Sequence, residues 1–141
     1  MALLRTRWSA GPVRATGPVL VSVTDFTCAH SLDLPRAFHA GMGLRRSWPE
    51  LEGAVGLWLW TDLRRRRCGS VSVWTGDAAL RGFVAWPPHV AIMRRFRRRG
   101  SIRADTWWAD AFEPAETWAR AERVLAQAGA GAGSQVIDAS R

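Results

Sequence analysis

The chain contains no lysine: all 20 of its basic residues are arginine, and the formal net charge is +8. Without an ε-amino group there is no Schiff-base chemistry and no phosphate-loop lysine. Exclusive arginine usage follows from the codon bias of a GC-rich genome as readily as from selection for phosphate contacts, so the charge alone does not decide for nucleic acid. Cysteine is almost as scarce. Cys28 and Cys68 stand in no CxxC or Cys/His spacing, and two cysteines build neither a disulfide framework nor a zinc site. They read as small apolar residues in or near strands. No two histidines or carboxylates stand at metal-ligand spacing either, which argues against a metal centre built from side chains. No apolar run reaches the length of a bilayer span, and the N-terminus has no apolar stretch of signal-peptide length, so the expectation is a cytoplasmic protein without a membrane span.

What is present is bulk. With nine tryptophans and 48% hydrophobic residues among 141, the chain has enough apolar surface to pack one domain and too little length for two. The most informative stretch runs from Cys68 to Asp110. Val71 and Val73 alternate with Ser70, Ser72 and Trp74, the period of a strand. After Thr75-Gly76-Asp77 the period changes: Leu80, Phe83 and Val84, then Ile92, Met93 and Phe96, fall at helical spacing on either side of a proline kink at Pro87-Pro88. Gly100 closes the helix and Ser101 to Ala109 reads as another strand, with Trp107 and Trp108 pointing oppositely.

Residues 1–17 lack periodicity and read as a flexible arm that adds nothing to the core. Val19, Val21 and Val23 alternate along a strand ending near Phe26. Pro35 suits the first turn of a helix whose apolar face carries Leu34, Phe38 and Met42. Ala54 to Asp62 is apolar on both faces, with Val55, Leu57 and Leu59 on one and Trp58 and Trp60 on the other, as in a strand covered on both sides. Arg64 to Arg67 forms a solvated turn in which four serines should serve as well. Pro114 to Gln127 reads as a helix with Trp118, Ala121 and Leu125 inward, and the AGAGAG run from Ala128 to Gly133 as a linker to a loose tail. The result is an α+β domain over residues 18–112 in β-α-β-β-α-β order, a ferredoxin-like arrangement of one four-stranded antiparallel sheet with its helices on one face, plus a C-terminal helix and tail over 113–141. The helix-free face then needs a cover, and a second copy of the sheet is expected to provide it, giving a homodimer.

The runs GSVSVWTGDAALRGFVAWPPHVAIMRRFRRRG, SIRADTWWADAF and MGLRRSWPELEGAVGLWLW resemble the dimeric α+β barrel proteins of the antibiotic-biosynthesis-monooxygenase type, and most closely their spheroidene-monooxygenase-like branch. There too a strand ending in tryptophan, an ALRxF helix and a Pro-His helix start follow one another. The resemblance implies a pocket between sheet and helices for an apolar or polycyclic molecule, with haem in some relatives and no cofactor in others. Haem-degrading relatives use a first-strand asparagine, a tryptophan ending the third strand and a histidine on the second helix. Trp74 matches that tryptophan. The asparagine position reads Val23-Thr24-Asp25, and gapless counting puts the histidine position at Met93, with His89 one turn earlier on the same face. These departures speak against haem degradation and leave haem binding or cofactor-free oxygenation.

His89 and Trp74 are accordingly the catalytic candidates, His89 as a haem axial ligand or general base. The alternative for His89 is a ring hydrogen-bonded to nearby backbone at a helix start. Met93, Phe96, Asp25 and Phe38 are the ligand-binding candidates, Asp25 by polarising a hydroxyl unless it only caps a loop. Trp58, Trp60 and Trp107 read as packing. The Arg94 to Arg99 cluster reads as a solvated helix face near a helix C-terminus. Two functions stand: a small monooxygenase-like protein for an apolar secondary metabolite, and a non-catalytic arginine-rich protein that binds nucleic acid or another polyanion. The first is favoured.

Overall fold

A computed structural model describes residues 3–129. The elements are β1 (Leu4–Arg5), β2 (Ser9–Ala10), β3 (Val19–Cys28), α1 (Asp33–Arg45), a 3-10 turn at Trp48–Glu50, β4 (Ala54–Asp62), β5 (Arg67–Trp74), α2 (Asp77–Ala85), α3 (Pro87–Phe96), β6 (Gly100–Ala109) and α4 (Pro114–Gly129). All strands pair antiparallel in one sheet ordered β1-β4-β5-β3-β6, with β2 also on β4. The four long strands give the ferredoxin-like α+β fold expected from the pattern. The proline kink is a complete break: Trp86 is extended (φ −64°, ψ 129°), because the residue before a proline is pushed out of the helical region. The helix therefore divides into α2 and α3. The expected AGAGAG linker starts inside α4, and the loose tail beyond it lies outside the described residues.

The alternation along the strands sorts side chains onto two faces. Leu20, Leu57, Leu59 and Trp74 meet Phe38 and Met42 of α1 and Leu80 and Phe83 of α2. Val21, Val23, Trp58, Trp60, Val71 and Val73 meet Ala121 and Leu125 of α4. One position changes sides. A register irregularity between Ala54 and Gly56 turns Val55 onto the face of Trp58 and Trp60, where strict alternation would put it with Leu57.

Two expectations need correction. The segment before β3 is no idle arm, since Leu3, Trp8 and Ala15 pack on the core. Thr6 exchanges hydrogen bonds with Leu59: its amide donates to the Leu59 carbonyl at 2.9 Å and its hydroxyl accepts from the Leu59 amide at 3.1 Å. Trp8 stacks on Phe112 at 4.8 Å and lies so close over Gly56 that a Cβ there would come within 1.9 Å of its ring. With α4 it covers the face opposite the other helices, so that face is not bare. The argument that a second copy must cover it no longer holds.

The second correction concerns Arg67. Arg64, Arg65 and Arg66 are exposed as expected, but Arg67 is 4% exposed. β5 begins at this residue, and its guanidinium turns under α4. There Nη2 donates to Asp25 Oδ2 at 2.5 Å and to the Leu125 carbonyl at 2.9 Å, and Nε donates to Asp25 Oδ1 at 3.1 Å. The Trp60 ring lies 5.6 Å beneath it. Removing one partner of such a pair strands a buried charge, so Arg67→Ser should lower unfolding free energy by about 3–5 kcal/mol. Arg64→Ser and Arg66→Ser should change it by less than about 0.5 kcal/mol. Urea unfolding of the separate variants measures the contrast.

Candidate functional site

A cavity of about 510 Å³ opens where β4 starts and β5 ends, beneath α2. Its wall is made of Trp74, Phe83 and Trp86, its floor of Leu51, Glu52, Gly53 and Thr75, and its α2 side of Ala78, Ala79 and Gly82. Local sequence explains the space. Gly53 takes a left-handed φ of 75°, and a Cβ there would meet the Ala79 Cβ at 2.4 Å. The chain thus turns tightly under α2 only because both positions are small. Asp77 favours the first turn of α2 and pairs with Arg81 at 2.9 Å one turn on, which leaves Ala78, Ala79 and Gly82 toward the cavity.

Trp74 is fully buried, and its Nε1 donates to Ser72 Oγ at 2.9 Å. With its indole N–H satisfied and its ring out of solvent, Trp74 backs the cavity, and the half-buried Phe83 and Trp86 carry the accessible part of its wall. Phe83 lies 5.2 Å from Trp74, 5.0 Å from Trp48 and 6.2 Å from Trp86, so four aromatic rings form one packed cluster behind the cavity.

The other five nominated residues lie elsewhere. The His89 ring contacts Phe83 at 4.5 Å, so His89 and Trp74 both touch Phe83 but do not share the cavity. Its Nδ1 donates to the Val84 carbonyl at 3.1 Å, the helix-start hydrogen bond named above as the alternative. That bond sets the neutral tautomer and leaves the Nε2 lone pair unspent by it. Met93 is half-buried one turn further along α3. Phe96 is buried edge-on to Phe26 at 6.0 Å, toward the other end of the sheet. Phe38 belongs to the core under α1. Asp25 points to the opposite face, engaged by Arg67. Of the lining residues only Trp74 was a site candidate; Phe83 was visible in the helical stripe, whereas Trp86, Thr75, the small residues Ala78, Ala79 and Gly82, and Leu51, Glu52 and Gly53 line the cavity through a helix break and a backbone conformation no spacing announces.

Among the described residues no group of His, Cys, Asp or Glu is placed to hold a metal ion. The cavity lining offers no imidazole, thiol or thioether to ligate a haem iron, and His89 stands outside it against Phe83. These residues do not fit haem. The cysteines are buried as expected. Burial foremost, then the neighbouring Cys28 and Asp25, pushes the Cys68 thiol up to about 12, and Cys28 is also raised, chiefly by burial. Both thiols are held protonated and unreactive.

No protein-family model matches the sequence, and no curated protein matches it. Solved structures do match. A dimeric ferredoxin-like protein of unknown function from Jannaschia sp. CCS1 aligns with a TM-score of 0.56 and 17% identity, over 63% of this chain and 97% of that one. A Listeria monocytogenes ferredoxin-fold protein related to antibiotic biosynthesis monooxygenases aligns with a TM-score of 0.53 and 14% identity, over 65% of this chain and 57% of that one. SnoaB, a cofactor-independent oxygenase from Streptomyces nogalater, aligns with a TM-score of 0.53 and 18% identity, over 68% and 97%. The chain spans about half the length of some of these structures, 49% of one from Lactobacillus acidophilus. At such identities the likeness is one of fold. The chain shares the ferredoxin-like α+β fold of these structures, among them one related to antibiotic biosynthesis monooxygenases.

Burial lowers the His89 pKa below its ordinary 6.5, against a smaller opposing effect of the Val84 hydrogen bond. A folded-state value below the unfolded one means that the unfolded chain binds the extra proton first. The stability contributed by neutral His89 is therefore fully present above about pH 6.5 and lost progressively as pH falls below it through the lower folded-state value. An NMR titration of the His89 ring should give a pKa below 6.5, and His89→Gln should flatten the stability loss in that window. A ring titrating at or above 6.5 would mean that the imidazole is solvated.

Proposed function

We propose that the chain is a small monooxygenase-like protein that seats an apolar or polycyclic molecule in the cavity beneath α2. One observation carries this reading: a cavity of about 510 Å³ with an aromatic wall, in a fold shared with a cofactor-independent oxygenase. The volume falls in the range of small-molecule sites, roughly 300–1,000 Å³. Flat aromatic faces favour flat, apolar ligands, because ring stacking adds to the area removed from water.

Since the lining does not fit haem, the reading is of a site without a cofactor. Dioxygen would then draw electrons from the bound molecule itself. The chain would contribute the aromatic seat and two groups able to exchange a proton, the Glu52 carboxylate and the Thr75 hydroxyl. Trp74 serves as the inner wall, and His89 backs Phe83 on its other side. The likeness of Trp74, the ALRGF run and Pro88-His89 to the spheroidene-monooxygenase-like branch supports the same reading. The dimeric Jannaschia relative supports a homodimer, for which the outer edge strand β6, with Trp108 57% exposed, is the available surface.

Gly82 offers the test. Nothing lies within 4 Å of a Cβ added at this lining residue, so Gly82→Leu adds bulk at the edge of the cavity without a clash and replaces a helix-interior glycine, a gain of up to about 1 kcal/mol. Titration of the intrinsic tryptophan fluorescence with a naphthol should show affinity at least about tenfold weaker in the variant, with an equal or higher Tm. Unchanged affinity for the naphthol would count against this cavity as the binding site.

A further inference from the structure

The end of the sheet opposite the cavity concentrates positive charge from three separate segments. The Cys28 amide donates to the Arg66 carbonyl and the Ala29 amide to the Arg99 carbonyl, each at 2.8 Å. These two bonds bring the β4–β5 turn, the β3–α1 loop and the α3–β6 turn together. The exposed arginines there are Arg64, Arg65, Arg66, Arg97 and Arg98, with Arg36 and Arg99 beside Asp33. The acids of these segments, Asp33 and Asp62, are buried, so among the described residues no exposed carboxylate offsets the charge on them.

Two leucines project from the same end. Leu32, in the loop before α1, is 78% exposed, and Leu63, in the β4–β5 turn, is 64% exposed. An isolated exposed leucine needs no explanation. A pair of them on loops ringed by arginines is the arrangement that inserts apolar tips among lipid headgroups while cations meet anionic lipid.

We propose that this pole docks the protein on an anionic membrane surface, with Leu32 and Leu63 entering the headgroup layer and the surrounding arginines holding acidic lipids. Nucleic acid fits less well. The two phenylalanines at this end pack on each other at 6.0 Å, Phe96 buried and Phe26 half-buried, which leaves only the exposed His30 ring as a face for base stacking, and exposed leucines have no role against phosphates. The cavity lies at the far end of the strands, so docking leaves it free, and the proposal does not depend on any reading of that cavity.

The test is sedimentation of the full chain with vesicles of phosphatidylcholine alone, and with about one third phosphatidylserine, compared with binding to a labelled DNA duplex. Binding to the anionic vesicles that fades at high salt is expected. Arg97→Ser with Arg98→Ser should weaken it about 25-fold, at about fivefold per arginine. Leu32→Ser with Leu63→Ser should weaken it about tenfold or more while leaving any DNA binding unchanged. These positions are exposed, and an unaltered thermal transition confirms that the variants fold. Absence of vesicle binding overturns the proposal. So does vesicle binding indifferent to the leucine substitutions, which would mark a general polyanion surface.

Discussion

A buried guanidinium ties the molecule together. Arg67 starts an inner strand of the sheet, takes both carboxylate oxygens of Asp25 on the neighbouring strand, and reaches the Leu125 carbonyl of α4. Desolvating two charges is costly, and an apolar pair of similar volume would often be as stable. What the ion pair adds is address. A helix that merely covered apolar residues could slide, whereas one carbonyl bonded to a guanidinium fixes α4 along and around its axis. Arg103 repeats the device by donating to the Ala128 carbonyl at 3.0 Å, and Arg120 lies over Trp107 at 4.7 Å.

That fixed cover determines what the other face can do. Because α4 and the N-terminal segment fill one side, α1, α2 and α3 need only cover the other, and they do so unevenly. Large side chains from α1 and α2 reach the middle of the sheet. At the end where Gly53 turns beneath Ala78, Ala79 and Gly82, the side chains become too small to fill the gap. The cavity is thus the consequence of a short run of small residues set against an aromatic wall, and the break at Trp86–Pro87 places the last ring of that wall. The two ends of the sheet therefore differ in character: aromatic-walled and hollow at one, cationic and studded with leucines at the other.

Strand and helix order was legible because alternation in VLVSV and GSVSVW and helical spacing in the ALRGF segment are local properties. The position of Trp74 on the helix side followed from the same alternation. What escaped were relations between distant segments. Nothing in four consecutive arginines distinguishes Arg67 from its neighbours until the strand it opens is paired with Asp25. Trp8 reads as part of a loose arm until Gly56, lacking a Cβ, provides the seat for its ring. The resemblance pairs His89 with Trp74 as catalytic candidates, but the break before Pro87 and the bulk of Phe83, in contact with both rings, keep them from sharing the cavity. The cover of the helix-free face was misjudged for the same reason: α4 was visible as an amphipathic stretch, but its docking is fixed by contacts far away in sequence.

The central claim is that ligands enter on the side of α2 and not on the side of α4. The nine tryptophans report on both, since Trp74 and Trp86 line the cavity while Trp58, Trp60 and Trp118 lie in the cluster under α4. In a titration of 15N-labelled protein with a polycyclic phenol, followed through the indole N–H resonances, Trp74 and Trp86 should shift together and the three on the α4 side should stay. Shifts at Trp58 and Trp118 with Trp74 and Trp86 unmoved would contradict it and place binding on the other face of the sheet.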